Sequence, residues 1–152
     1  MQYDYKKYCD GNNGFSFIEL LLVIAIIAII AASSAPFITR FLTQNYLEVS
    51  TDKVVSTIRK AQSYAMSNKD DAVWGFCLIG TDIRLYSGSC VSPAFSEDFD
   101  LSKVSVTGLT DVSFSGLSGS RGEPSTSATI TVSNDAGSNT ISINYAGGLT
   151  LN

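Results

Sequence analysis

The sequence predicts an α+β protein. One long N-terminal helix spans a membrane over its first half and packs through its second half on an antiparallel β-sheet domain. Three observations lead there. Residues Leu20 to Ala32 are thirteen Leu, Val, Ile or Ala in a row. Beyond Pro36, apolar residues recur every three or four positions. Beyond residue 70 the period falls to two, in a segment rich in Ser, Thr, Gly and Asp. A helical pattern followed by a run of strand patterns is the α+β order. At 152 residues the chain fits one domain plus an anchor.

The apolar stretch reaches from Phe15 to Ile38. As a helix rising ~1.5 Å per residue it would be roughly 36 Å long, enough for a hydrocarbon core of about 30 Å. Its only ionisable side chain is Glu19. An acid inside a membrane helix costs on the order of 2.5–3.5 kcal/mol, so it usually has a partner or a function. No nearby cation can reach it, because Lys6 and Lys7 lie beyond the Gly-Asn-Asn-Gly segment at 11 to 14. A cut after Gly14 would create a free amine on Phe15. That amine could pair with Glu19 of the same chain or of a neighbouring copy.

Gly14-Phe15, Glu19 five residues after the glycine, the apolar run, and Pro36 twenty-two residues after it together resemble the prepilin N-terminus of type IV pilins and type II secretion pseudopilins. The resemblance implies that a prepilin peptidase cuts between Gly14 and Phe15 and methylates Phe15. It implies that Glu19 is the carboxylate that guides assembly. Residues 1–14 would then be a leader that is removed, 15–38 the membrane and assembly half of the helix, 39–70 its amphipathic half, and 71–152 the β-rich domain. The competing reading is a secretory signal peptide or a conventional signal anchor, since Ser33-Ser34-Ala35 is a passable cleavage site. Glu19 sits where such a signal would carry Lys or Arg, and Pro36 falls just after that cut.

The leader, MQYDYKKYCDGNN before Gly14, holds two lysines and two aspartates and is near neutral. Most prepilin leaders are net basic, so this is a departure. Orientation with the N-terminus in the cytoplasm follows if Lys6 and Lys7 stay there, although Arg40 beyond the span weakens the charge asymmetry. Cys9 would be lost with the leader.

Pro36 lies within the helical pattern, where it removes a backbone hydrogen bond and predicts a kink. Helical spacing then resumes. Leu47, Thr51, Val54, Ile58, Ala61 and Ala65 fall on one stripe, with Glu48, Asp52, Lys53, Arg59 and Lys60 mostly off it. The helix is expected to run from about Phe15 to about Asn68. The stripe lasts under three heptads, too short for a sustained coiled-coil seam.

Next, Ala72 to Ile79 reads as a strand, Gly80-Thr81-Asp82 as a turn, and Ile83 to Ser87 as its hairpin partner. Residues 88 to 102 read as a loop around Pro93 and the acids Glu97, Asp98 and Asp100. Val104 to Thr107 and Val112 to Ser115 read as short strands, and 116 to 127 as a flexible connection. Two clean alternating runs follow, Ala128 to Ser133 and Thr140 to Tyr145, joined by a turn at Asn134 to Gly137. Ile141, Ile143 and Tyr145 are expected on one side, and Leu149 to Leu151 forms a last apolar piece. Ala61-Gln62-Ser63-Tyr64-Ala65, Trp74-Gly75-Phe76-Cys77 and the closing hairpin resemble the minor pseudopilin H and fimbrial T group, by looser motifs. After a leader cut, Cys77 and Cys90 are the only cysteines left, and both would lie outside the cytoplasm, where disulfides persist. A disulfide and two buried thiols both remain open.

Composition excludes several functions. The net charge is −4, and from Asp70 onward three basic residues stand against nine acidic ones. No basic patch is present to meet nucleic acid. There is no histidine, which removes His-based triads and most zinc sites. No acid/base or metal spacing appears, so neither an enzyme nor a cofactor is expected. The expected function is a structural one, a minor pilin or pseudopilin in the inner membrane with its β domain outside the cytoplasm. Its partners would be other pilins or pseudopilins, the prepilin peptidase and the inner-membrane assembly platform. A filament-tip adhesin or substrate-binding module, using loops 88 to 102 and 116 to 127, is the alternative.

Overall fold

A computed structural model describes residues 14–114 and 122–152, with the side chains of 33–36 left aside. The chain divides into two compact units, Met1–Ile38 and Thr39–Asn152. Helix α1 covers Phe17–Met66. Eight strands follow: β1 Trp74–Ile79, β2 Asp82–Ser87, β3 Phe95–Asp100, β4 Ser105–Thr107, β5 Val112–Phe114, β6 Ala128–Asn134, β7 Gly137–Ile143 and β8 Leu149–Leu151. The layout is α+β and pilin-like, one long apolar N-terminal helix followed by antiparallel sheets. The kink expected at Pro36 falls on residues whose side chains lie outside the described ones.

In the second unit, the helix buries the face that the sequence marks. Leu47, Thr51, Val54, Ile58, Ala61 and Ala65 are all buried. Thr51 is the one polar member of this stripe. Its hydroxyl donates to the Leu47 carbonyl at 2.7 Å and accepts from Asn139 Nδ2 at 3.1 Å, so no polar atom is left unpaired there. Glu48, Asp52 and Arg59 are exposed, and Lys53 and Lys60 half-buried. The helix stops at Met66, and Asn68 turns left-handed at φ 48°. Asp70 and Asp71 are left-handed too. Asn and Asp tolerate this region better than other side chains do.

The strands divide between two four-stranded antiparallel sheets, a division the sequence reading did not make. One has the order β3-β2-β1-β5 and the other β4-β6-β7-β8. A single core joins them to the helix, with Val54 and Ile58 from α1, Trp74, Phe76 and Leu85 from the first sheet, and Ile130, Val132 and Ile141 from the second. Each such side chain contributes about 1.5–3 kcal/mol by leaving water. Hydrogen bonds tie the helix to the second sheet and its loops. Asn134 Nδ2 donates to the Thr43 carbonyl at 2.7 Å, and Gln62 Nε2 donates to the carbonyls of Gly122 and Gly147 at 3.0 and 3.1 Å.

Three expectations need correction. Residues 88 to 102 are not all loop: Phe95–Asp100 forms β3, paired in full with β2. Its acids hid it, but alternation puts Phe95, Glu97 and Phe99 on one face, where Lys60 of the helix pairs with Glu97. Tyr145 does not join Ile141 and Ile143, because β7 ends at Ile143 and Tyr145 is exposed. The segment 116 to 127 is not wholly a free connection. Residues 115–121 lie outside the described ones, but Pro124 bridges to Phe114 and Ser125 donates its N–H to the Ser113 carbonyl at 2.7 Å.

Candidate functional site

The functional residues nominated by the sequence fall into two places, the start of α1 and the outer face of the first sheet. At the start of α1, residues 14 to 16 precede the helix in non-helical backbone. Among the described residues, a methyl-sized group built on Gly14 would meet nothing within 4 Å, and Phe15 is 82% exposed. The helix closes its first turns with the Leu20 N–H bonded to the Ser16 carbonyl at 3.1 Å.

Glu19 stands in the first turn of α1 and is exposed. Among the described residues it has no ion-pair partner. A carboxylate at this end of a helix meets the positive end of the dipole, which is worth about 0.3–1 kcal/mol in water. Around and after it the helix is apolar on every side. Leu20, Leu22, Ile24, Ile27 and Ile30 are each about half exposed or more. The most apolar eighteen-residue window has a mean hydropathy of 2.6, and none of it is buried within the protein. A helix that is apolar all round needs lipid or other helices about it. By length and composition this one can cross a membrane.

The outer face of the first sheet carries the two cysteines. Cys77 lies on β1, and its sulfur is bonded to that of Cys90, with Cα atoms 6.2 Å apart. Cys90 reaches it because the chain folds back after β2: the Gly88 N–H bonds the Val73 carbonyl at 2.8 Å and the Ala94 N–H bonds the Ser87 carbonyl at 3.0 Å. Tyr86 packs with both cysteines in a small second cluster. The Tyr86 ring lies over Gly75, its cross-strand partner. A Cβ on Gly75 would fall 2.6 Å from that ring, so a glycine is required there. The Tyr86 hydroxyl donates to Asp111. Burial, then that hydrogen bond, pushes the phenol above its ordinary range. Removing the bridge by Cys77→Ala with Cys90→Ala is expected to cost about 2–4 kcal/mol, as loop closure of this size does. Chemical denaturation of both forms checks this, and an unchanged midpoint would contradict it.

Sequence reasoning missed the charged clamp beside the bridge. Arg84 on β2 faces Asp98 on β3 and grips its carboxylate with two hydrogen bonds, both 2.7 Å. Its Nη1 also reaches the Cys90 carbonyl at 3.5 Å. The hydrogen bond from Arg84 holds the Asp98 carboxyl below its ordinary value, and the same bond raises the guanidinium. The available signal was the period-two spacing of Phe95, Glu97 and Phe99. Among the described residues no group of three or more His, Cys, Asp or Glu could hold a metal.

These features describe an α+β protein that presents an apolar helix, long enough to cross a membrane, with one carboxylate near its start. Residues 9–35 match the family model for the prokaryotic N-terminal methylation motif. That match covers Gly14, Phe15, Glu19 and the apolar run, and it supports a type IV pilin or pseudopilin-type protein, a structural subunit rather than an enzyme. No curated protein and no solved structure matches the chain significantly.

Proposed function

We propose that the chain is a minor pilin or pseudopilin, a structural subunit of a type IV pilus or a type II secretion pseudopilus. The observation that carries this reading is the N-terminal methylation motif laid over an exposed apolar helix. The precursor is inserted in the inner membrane with its N-terminus in the cytoplasm and its β domain outside. Prepilin peptidase cuts after Gly14 and methylates Phe15. The freed amine of Phe15 and the carboxylate of Glu19 then form the charge pair that lipid alone cannot supply. Other pilins or pseudopilins bury the apolar helix, and the inner-membrane assembly platform stacks them. Within the family the proposed neighbourhood is the minor pseudopilin H and fimbrial T group, on the segments Ala61–Ala65 and Trp74–Cys77.

The test is the mass of the intact mature protein with sequencing of its N-terminus. The expected chain starts at Phe15 and carries one added methyl group. A mature chain that starts at Met1 or at Pro36 would overturn the reading.

A further inference from the structure

The two sheets have four edge strands, and they are not alike. Edge strands invite pairing unless charge or cover blunts them. β3 carries Glu97, Asp98 and Asp100, and β5 is covered by Pro124 and Ser125. The other two edges, β4 (Ser-Val-Thr) and β8 (Leu-Thr-Leu), carry no charge. They bound the same sheet.

Backbone alternation shows what those edges offer. Thr140 and Asn152 exchange both their N–H···O=C bonds, at 2.8 and 2.9 Å. In an antiparallel ladder the N–H and C=O of one residue point the same way, and the next residue's point oppositely. Thr140 and Ser142 therefore face β8, while Asn139 and Ile141 face β6. The registers Ser142↔Thr150, Val132↔Asn139, Ser105↔Ser133 and Thr107↔Thr131 carry the pattern across the sheet. Thr150 bonds inward, which leaves the main-chain groups of Leu149 and Leu151 pointing outward from β8. Ser105 and Thr107 bond inward, which leaves those of Val106 pointing outward from β4.

The side chains agree with the backbone. Val106 and Leu149 pack against the core, and Leu151 shares their face by alternation but is 56% exposed. Every neighbouring pair in the order β4-β6-β7-β8 is antiparallel, so β4 and β8 run in opposite directions. A second copy that continues the sheet, turned by a twist of about 20–25° per strand, brings its β4 antiparallel to β8. Val106 of that copy meets Leu149 or Leu151 as a hydrogen-bonded pair, and the apolar face continues across the junction.

We propose that β8 of one copy pairs with β4 of a second copy, extending the sheet head to tail. The contact does not close on itself, as suits a fibre. With strands ~4.8 Å apart, four of them set a repeat of roughly 19 Å between copies joined this way. This inference rests on the reading of the chain as an assembly subunit.

Cysteine cross-linking of the full chain in its membrane tests it, in a Cys9→Ser background. With Leu151 opposite Val106, Thr150 faces Thr107 of the next copy. With Leu149 opposite Val106, Thr150 faces Ser105. Either is a non-hydrogen-bonded pair with Cβ atoms about 4.5–5.5 Å apart, within reach of a disulfide. One of the two double variants, Thr150→Cys with Thr107→Cys or Thr150→Cys with Ser105→Cys, should give a ladder of dimers and larger species on non-reducing gels. The single variants should stay monomeric. Adding Leu151→Pro or Val106→Pro removes an outward N–H, which an edge tolerates, and should erase the ladder; at the largely exposed Leu151 it should do so without altering thermal unfolding. Monomer from both double variants overturns the proposal. So does a dimer from Thr150→Cys alone, or a ladder that survives both prolines. Mass analysis of the same samples separates the two ideas. A chain starting at Phe15 with no ladder overturns the pairing and leaves the subunit reading standing. A ladder with a chain starting at Met1 supports the pairing and removes that reading.

Discussion

Replacing Glu19 with alanine is expected to leave membrane insertion intact and to block incorporation into the filament. The substitution touches little within the chain. Glu19 is exposed and makes no ion pair with a described residue, so the helix loses only the first-turn dipole contribution of about 0.3–1 kcal/mol. Insertion becomes easier, since an acid in a membrane helix costs on the order of 2.5–3.5 kcal/mol. The loss falls on assembly, where the proposed amine of Phe15 would lack its counter-ion in a low-dielectric helix bundle. Leaving a buried charge unpaired costs about 3–5 kcal/mol, or more than a hundredfold in incorporation. Comparing the variant in the membrane fraction and in sheared filaments measures this directly. Glu19→Gln, which keeps the shape and loses the charge, should behave like the alanine variant. Filaments that carry either variant at the normal level would remove the docking role.

Trp74→Ala is expected to be the most damaging single change in the β domain. Trp74 opens β1 with 1% exposure. Its ring stands edge-on to Tyr64 of the helix at 4.7 Å and tilts against Phe95 of β3 at 5.7 Å. Its Nε1–H donates to the Lys69 carbonyl at 2.9 Å. One side chain therefore ties the helix, the turn after it and two strands together. Truncation opens a cavity and removes that hydrogen bond, at a cost of about 3–5 kcal/mol. Against a typical total of about 5–15 kcal/mol this is a large share. Thermal unfolding of the full chain should show a fall on the order of 10 °C. Val91→Ala, at a position 91% exposed, should change stability by less than about 0.5 kcal/mol. If the two variants melted together, the role given to Trp74 in the core would be wrong.

The same residues show how far the sequence could be read. Leu47, Thr51, Val54, Ile58, Ala61 and Ala65 form a stripe by spacing alone, and all six are buried. The Asn134–Gly137 turn was legible because the runs on either side alternate, and the register pairs Asn134 with Gly137. The strand Phe95–Asp100 was not legible. Three of its six residues are acids, and two of them pair with Arg84 across the ladder and Lys60 on the helix. Those partners lie 14 and 37 residues away, outside any local window. Cys90 lies past the end of the hairpin, and only the fold-back between Ser87 and Ala94 brings it to Cys77.

By itself the sequence determined the α+β order, the apolar span with its lone acid, the methylation motif and the buried stripe of the helix. Each of these is a local pattern, set by side-chain type and a period of two or 3.6 residues. Only the tertiary structure decided that the strands part into two sheets, that an acidic segment becomes an edge strand, and that β4 and β8 bound one sheet. Strand pairing joins residues far apart in the chain, so the hydrogen bonds that choose between such arrangements are absent from every short stretch of sequence.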